Sequence, residues 1–174
     1  MKTLTSLSAA AVIFFSLGSP AVGETAAVTA DRPAQHNAQK ANPKETVFKY
    51  LQDASYAQVS LSEKERTKAQ MKEVLAPYFT DEIADAYLKY NAVKGETQYI
   101  VYGTDFPILS LPFFSYDEST KIKQQKNKTI VYQYFKKTDT GPVTFEGHYE
   151  AVTMIRTDGA WKISSISESK EEPN

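Results

Sequence analysis

The Asp158-Gly159 pair constrains this chain more than any other short feature. It separates two runs in which apolar and polar residues alternate, 144–157 and 160–167, and the second run carries the single tryptophan, Trp161. An Asp-Gly dipeptide supplies the positive φ angles that a two-residue hairpin turn requires. The sequence therefore predicts an antiparallel hairpin that closes a sheet, with Trp161 and Ile163 directed towards the core.

The amino-terminal residues have the order of a secretory signal peptide. A positively charged start precedes an apolar run over Leu7–Leu17, which is followed by the helix-breaking Pro20 and then by small residues. We expect a signal peptide over 1–23 with cleavage after Gly23, or alternatively after Ala27. The apolar run is shorter than the ~20 residues that span a bilayer. The sequence thus predicts a secreted protein without a membrane span in its mature form.

Composition excludes several classes of function. The chain has no cysteine, which removes disulfides, thiol catalysis, thiolate metal sites and a lipid-anchored cysteine. Its 20 basic and 21 acidic residues are balanced, and no basic stripe of the kind that binds nucleic acid is visible. The locally basic stretch Lys121–Lys128 is more typical of a solvated turn than of a surface for anions. Phosphate-binding glycine loops and the Gly-x-Ser-x-Gly nucleophile motif are absent, and we expect no cofactor.

One domain is expected after the signal peptide. Residues 24–41 lack periodicity and are predicted to form a disordered spacer. The domain is placed at 42–168, and the charged residues 169–174 are expected to form a flexible tail.

Three helix starts precede the strands. The first is Asn42, which would cap a helix that begins at Pro43. The second is a capping box at Ser62–Glu65, and the third is Thr80, which precedes two acidic residues. Gly95 is expected to end the third helix. Apolar residues at helical spacing follow each start: Val47, Phe48, Leu51 and Ala54; Met71, Val74 and Leu75; Ile83, Ala84, Tyr87 and Leu88.

After Thr97 the period changes from helical to alternating. Strands are expected at Gln98–Thr104 and, as a hairpin, at Thr120–Gln124 and Thr129–Lys137. The apolar segment Phe106–Tyr116 contains two prolines, so it is either an edge strand or an extended loop. Helices followed by antiparallel strands predict an α+β fold.

Two segments carry a resemblance to a known fold. Val74–Thr80 with the helix after it, and Asp158–Ser164 with its Trp-Lys-Ile strand, resemble the nuclear transport factor 2-like fold of the cystatin-like superfamily. The resemblance implies helices packed on a strongly curved antiparallel sheet, forming a cone with an interior pocket, and homodimerisation through the sheet. With its signal peptide the chain resembles small secreted proteins of Bacillus-type bacteria from a family without assigned function.

Aromatic residues in the sheet half are the candidates for ligand binding. They are Tyr99, Tyr102, Tyr132 and Tyr134, joined by Asp105. Tyr132 and Tyr134 share one face by alternation, where they either line a cavity or pack in the core. By analogy with enzymes of the same fold, an Asp105 carboxylate among tyrosines would act as a general base, whereas Asp before Pro107 is also ordinary turn chemistry.

His148 is the second candidate for acid–base chemistry. Alternation places Glu146, His148 and Glu150 on one face of a strand, so the carboxylates would orient the imidazole. The simpler interpretation, which we favour, is a solvent-facing polar stripe opposite an apolar core face. On that interpretation replacing His148 with Ala leaves stability nearly unchanged.

The sequence thus favours a secreted, non-catalytic binding or interaction module. Its partner would be a small apolar ligand in the cone or a protein on the sheet face, and the apolar run Leu109–Phe114 would be either an exposed docking strip or a segment folded inward. The alternative is an isomerase- or dehydratase-like enzyme that uses Asp105 or His148 as its general base.

Overall fold

The computed structural model describes residues 43–103, 107–139 and 144–174. Three helices come first within them, followed by six strands. Their bounds are α1 Pro43–Ser60, α2 Lys68–Leu75, α3 Asp81–Asn91, β1 Ala92–Lys94, β2 Tyr99–Val101, β3 Lys121–Gln124, β4 Lys128–Phe135, β5 His148–Thr157 and β6 Ala160–Ser169. This order confirms the α+β class. None of the described helices is both long and apolar enough to cross a membrane.

Some predictions fall outside the described residues. They concern the signal peptide over 1–23, the spacer over 24–41, the helix cap Asn42 and the candidate base Asp105. The flexibility of 169–174 stays a prediction.

The helix starts at Pro43 and Thr80 are confirmed, whereas the capping box at Ser62 is wrong. The box lies at Thr67 instead, where the hydroxyl accepts from the Gln70 amide at 3.2 Å and the Gln70 side chain accepts from the Thr67 amide at 3.0 Å. Ser62 belongs to the turn that closes α1, and its hydroxyl donates to the Val59 carbonyl at 2.8 Å.

The third helix ends earlier than expected. It stops at Asn91 because β1 follows at once and pairs antiparallel with β2. Gly95, predicted to end the helix, lies instead in the turn between these two strands. A Cβ at position 95 would lie 2.1 Å from the Glu65 carboxylate, so the close approach of Glu65 requires glycine there.

Strands β3 to β6 form a four-stranded antiparallel meander in the order β3-β4-β5-β6. Val131 of β4 pairs with Val152 of β5, and both belong to the core that the helices build. The neighbouring pair Tyr132 and Ala151 forms a separate cluster. Because side chains alternate along a strand, we call the face of Val131 the inner face and that of Tyr132 the outer face.

The main core lies between the helices and the inner face. Apolar residues of all three helices pack against residues of β4, β5 and β6. Its fully buried members include Leu51, Leu61, Met71, Leu75, Val131, Val152 and Ile163. The predicted helical stripes are therefore confirmed, as is the inward direction of Ile163.

The hairpin at Asp158-Gly159 is confirmed. Both residues have positive φ, 51° and 81°, and they join β5 to β6 as a two-residue turn. The predicted hairpin of Thr120–Gln124 with Thr129–Lys137 is confirmed as well, as strands β3 and β4.

The segment between α2 and α3 fastens the helices to the sheet. The Thr80 amide donates to the Ile163 carbonyl at 2.9 Å, and the Ile163 amide donates to the Tyr78 carbonyl at 2.8 Å. Tyr50 of α1 adds a hydroxyl bond of 2.6 Å to the Trp161 carbonyl. Helices and β6 are thus joined by backbone as well as by packing.

Candidate interaction surface

The structure brings together only part of the predicted tyrosine set. Tyr132 and Tyr134 share the outer face, as alternation predicted, and therefore do not pack under the helices. Tyr99 lies elsewhere, half-buried against the main core with the Lys68 ammonium 4.8 Å from its ring centre. Tyr102, just after β2, is 56% exposed. A ligand-binding role for these residues stays a prediction.

Three tyrosines form a patch on the outer face. Tyr149 pairs with Tyr134 across β4 and β5, and their ring centres are 5.0 Å apart, while Tyr149 lies 6.2 Å from Tyr132. We call Tyr132, Tyr134 and Tyr149 the outer tyrosine cluster. Its rings pack with the buried side chains of Ile130 and Ala151. The cluster ranges from nearly buried at Tyr132 to 47% exposed at Tyr134, so it presents aromatic surface to solvent.

Gly147 makes room for the exposed end of this cluster. A Cβ at this position would lie 2.1 Å from the Tyr134 hydroxyl oxygen. That distance is far below van der Waals contact, so the Tyr134 ring can occupy its place only because residue 147 has no side chain.

The carboxyl-terminal segment, Lys170–Asn174, reaches back to the outer face. The Tyr132 hydroxyl donates to the Glu172 carboxylate at 2.6 Å, and the Lys123 ammonium lies 2.9 Å from the same carboxylate. Lys123 also donates to the Pro173 carbonyl at 2.6 Å. The segment therefore extends from the end of β6 to the side chains of β4 and β3.

Charge supports this contact. Lys121 and Lys123 of β3 pair with Tyr132 and Ile130 of β4, which lie on the outer face. Lys128 of β4 is two residues before Ile130 and so lies on the same face. The three lysines therefore share the outer face. The hydrogen bond from Tyr132, followed by those from Lys123, lowers the pKa of Glu172 below 4.5. The carboxylate is thus the favoured form in the contact.

His148 is buried, and the prediction of a solvent-facing stripe is wrong for it. The side chain lies on the inner face, where its ring stacks on Phe135 at 5.8 Å and meets the edge of Phe145 at 5.8 Å. Its Nδ1 is 2.9 Å from the Glu146 carbonyl and its Nε2 is 3.1 Å from the Glu150 carboxylate. Two local bonds and two aromatic rings therefore occupy the imidazole.

The surroundings of His148 favour its charged form. Burial by itself lowers the pKa of His148, but the Glu146 carbonyl, the Glu150 carboxylate and the charge of Glu168 outweigh it and raise the pKa above 6.5. Glu168 lies opposite Glu150 in the sheet. A protonated ring bonds Glu150 and offsets the charge of Glu168, so His148 contributes to packing and charge balance.

Two open grooves lie on the surface of the described residues, and none of the predicted tyrosines lines either of them. One open groove of about 320 Å³ lies between α2 and α3 and is lined by Lys68, Lys72 and Asp85. Another of about 300 Å³ lies beside Pro43 and Glu118. Within the described ranges, no group of His, Asp and Glu side chains is placed to hold a metal ion.

The apolar run Leu109–Phe114 combines both of the predicted arrangements. Leu111 and Phe114 are buried in the main core, whereas Phe113 is 83% exposed. Gln58 of α1 holds the run, since its amide donates to the Leu109 carbonyl at 3.0 Å and accepts from the Leu111 amide at 2.9 Å. The run therefore does not expose a continuous apolar strip, because Phe113 is exposed while Leu111 and Phe114 are buried.

Three residues of the outer surface were not predicted: Lys123, Tyr149 and Glu172. Two signals were available in the sequence, namely the basic stretch Lys121–Lys128 and the acidic residues that follow β6. Opposite charges at two ends of a sheet domain suggest a contact, but which face carries it depends on the tertiary fold.

A family model described as "Protein of unknown function (DUF3993)" matches residues 43–135, which is more than half of the chain. The chain belongs to the DUF3993 family. No curated protein and no solved structure matches it. The DUF3993 match extends from α1 through β4, so it includes Lys123, Tyr132 and Tyr134 and leaves out Tyr149 and Glu172.

Proposed function

We propose that this DUF3993 protein is a secreted, non-catalytic interaction module that binds a partner protein through the outer face of its four-stranded sheet. The observation that carries the proposal is the outer tyrosine cluster, which lies on the face that the helices leave uncovered. Tyrosine is enriched at protein interfaces because it combines a large apolar ring with a polar hydroxyl. Tyr134, at 47% exposure, is the centre of the proposed contact.

The order of the elements supports a finer proposal for the architecture. Three helices precede a four-stranded antiparallel meander and pack on one of its faces. We propose that these elements form the cone of the nuclear transport factor 2-like fold, with side chains of the main core filling its interior. The proposal of export rests on the predicted signal peptide over 1–23, and amino-terminal sequencing of the released protein should begin after Gly23 or Ala27.

Site-specific photo-crosslinking in the native host tests the partner-binding face. A benzoylphenylalanine at Tyr134 is compared with one at Tyr56, a tyrosine of α1 that is 72% exposed. We expect one protein to be crosslinked from position 134 and not from position 56. Affinity for that purified partner should then fall about tenfold or more in Tyr134→Ser, as for an interface hot spot, and stay unchanged in Tyr56→Ser.

Two results would contradict the proposal. Equal affinity of Tyr134→Ser and the unaltered protein would show that the outer face does not bind the partner. Crosslinks from position 134 that join only two copies of this chain would make the face a homodimer interface instead. Sedimentation of Tyr134→Ser against the unaltered protein would verify that second outcome.

A further inference from the structure

Resting on the proposed function, we propose that the carboxyl-terminal segment masks the outer face and stands in for the partner, which presents an extended acidic segment with the chemistry of Glu172-Pro173. The segment already shows what this face recognises. A carboxylate is held between the Tyr132 hydroxyl and the Lys123 ammonium, and the next carbonyl accepts from the same lysine.

The recognition is specific to a peptide. Lys123 contacts the Glu172 carboxylate and donates to the backbone carbonyl of the following residue, Pro173. It therefore binds an acidic side chain together with the main chain that follows it. The Lys123 ammonium also lies 5.1 Å from the Tyr132 ring centre, which fixes the direction from which the carboxylate approaches. A free phosphate would supply an anion without the carbonyl.

The positive charge of the outer face indicates that the partner segment is acidic. Three lysines, Lys121, Lys123 and Lys128, share the outer face with the tyrosines. The segment that contacts this face carries two acidic residues, Glu171 and Glu172, and one lysine, Lys170. An incoming acidic strand would meet the lysine side first and then the aromatic surface of Tyr134. The same face thus offers an electrostatic and an apolar part to one extended ligand.

The contact is of a kind that a ligand can displace. The side chains of Lys123 and Glu172 are 37% and 50% exposed, and ion pairs at this exposure contribute little to stability. The segment is also tethered at Ser169, so its effective concentration at the face is in the millimolar range. An external peptide therefore competes with a weak internal one.

A nitrogen-15 NMR titration tests the inference. The probe is the acetylated peptide Lys-Glu-Glu-Pro-Asn, and the proteins are the full chain and a variant that ends at Lys170. We expect the peptide to shift β3 and β4 amides of the shortened variant at millimolar concentration, and to bind the full chain roughly fivefold or more weakly because the tethered segment competes. Lys123→Ala in the shortened variant should remove the shifts, and the control peptide Lys-Gln-Gln-Pro-Asn should bind neither protein.

A second variant keeps the test decisive if the shortened chain does not fold. Glu172→Gln in the full chain weakens the internal contact without deleting residues and should raise peptide affinity above that of the unaltered full chain. Equal binding to the full chain and to the released variants would overturn the inference, as would no shift in either released variant. Sedimentation of the released variants with phosphatidylglycerol vesicles in preference to the peptide would assign the face to membranes and overturn it too.

The two proposals fail separately. If Tyr134→Ser weakens the partner complex while the peptide binds no released variant, the interaction module stands and the masking segment is refuted. If the peptide binds as expected but Tyr134→Ser leaves the affinity for the purified partner unchanged, the peptide site exists and the proposed partner face is wrong.

Discussion

Glu65 illustrates how one carboxylate organises a turn far from it in sequence. It accepts from the amides of Glu96, Thr97 and Gln98 at 2.6–2.7 Å and from the Thr97 hydroxyl at 2.6 Å. The hydroxyl bond and then the three amide bonds lower the pKa of Glu65 from 4.5 to about 2. The turn between β1 and β2 is therefore held by a charge-assisted network.

Glu65→Gln should destabilise the protein in a pH-dependent way. The folded pKa lies below the unfolded one, so the stabilisation is present in full above pH 4.5 and is lost as pH falls towards 2. The melting temperature of the variant should be lower than that of the unaltered protein at pH 7, and the two should converge near pH 2. Thermal unfolding monitored by circular dichroism from pH 2 to 7 measures this.

Glu63→Gln is the matched control, since that side chain is exposed. Its melting temperature should follow the unaltered protein at every pH. A Glu65→Gln variant that behaves in the same way would show that the network adds no stability.

His148→Ala should now be destabilising, which reverses the expectation drawn from sequence. The substitution removes a ring packed between Phe135 and Phe145 and leaves the inward Glu150 carboxylate without its partner. We expect a loss of about 1–3 kcal/mol in urea-unfolding free energy, in line with truncation of a buried hydrogen-bonded group.

The pH profile separates the charge of His148 from its packing. Because the folded pKa is raised, the charge contribution is fully present below pH 6.5 and disappears as pH rises through the folded value. His148→Gln should therefore lose more stability at pH 5.5 than at pH 8.5. An equal loss of unfolding free energy at both pH values would mean that His148 stabilises the protein by packing alone.

At the scale of the elements, the start of α2 offers a direct comparison of two threonines. Thr67 and Thr80 both precede a helix, but only Thr67 caps it with a side-chain bond, as part of a capping box. Thr67→Ala should cost about 1 kcal/mol of unfolding free energy, whereas Thr80→Ala should cost less than half of that. Urea unfolding of both variants measures the difference, and equal losses would refute the assignment of the cap.

The error over this helix has a physical origin. Both Ser62–Glu65 and Thr67–Gln70 satisfy the short pattern of a capping box, so the sequence alone does not choose between them. The choice depends on Arg66, whose backbone pairs with Tyr99 of β2 through two hydrogen bonds. That pairing keeps residue 66 extended and moves the helix start beyond it.

For the whole molecule, the family match is smaller than the unit that folds. Residues 43–135 include the helices and β3–β4, but Val152, Met154 and Ile163 of the main core come from β5 and β6. A fragment of 43–135 should therefore be unfolded, with a far-UV spectrum that shows no cooperative thermal transition. The fragment 43–174 should melt cooperatively; a cooperative transition in the shorter one would contradict the prediction.

The fold was more predictable than the surface. Alternation and turn chemistry are local, so they placed Tyr132 and Tyr134 on one face and the turn at Asp158-Gly159. Which face the helices cover, and which segment contacts Lys123, depend on residues far apart in sequence. His148 was misplaced for the same reason, because Phe135 and Phe145 enclose it only after the strands pair.

The backbone pairing of residues 78–80 with Ile163 has a consequence for self-association. An edge strand with free amides and carbonyls is a template for adding another chain, and both edges of this sheet are guarded against it. The middle of β6 is occupied by residues 78–80, and β3 is only four residues long with Lys121 and Lys123 on it. Strand addition is thus hindered in the middle of β6 and opposed by lysine charge at β3.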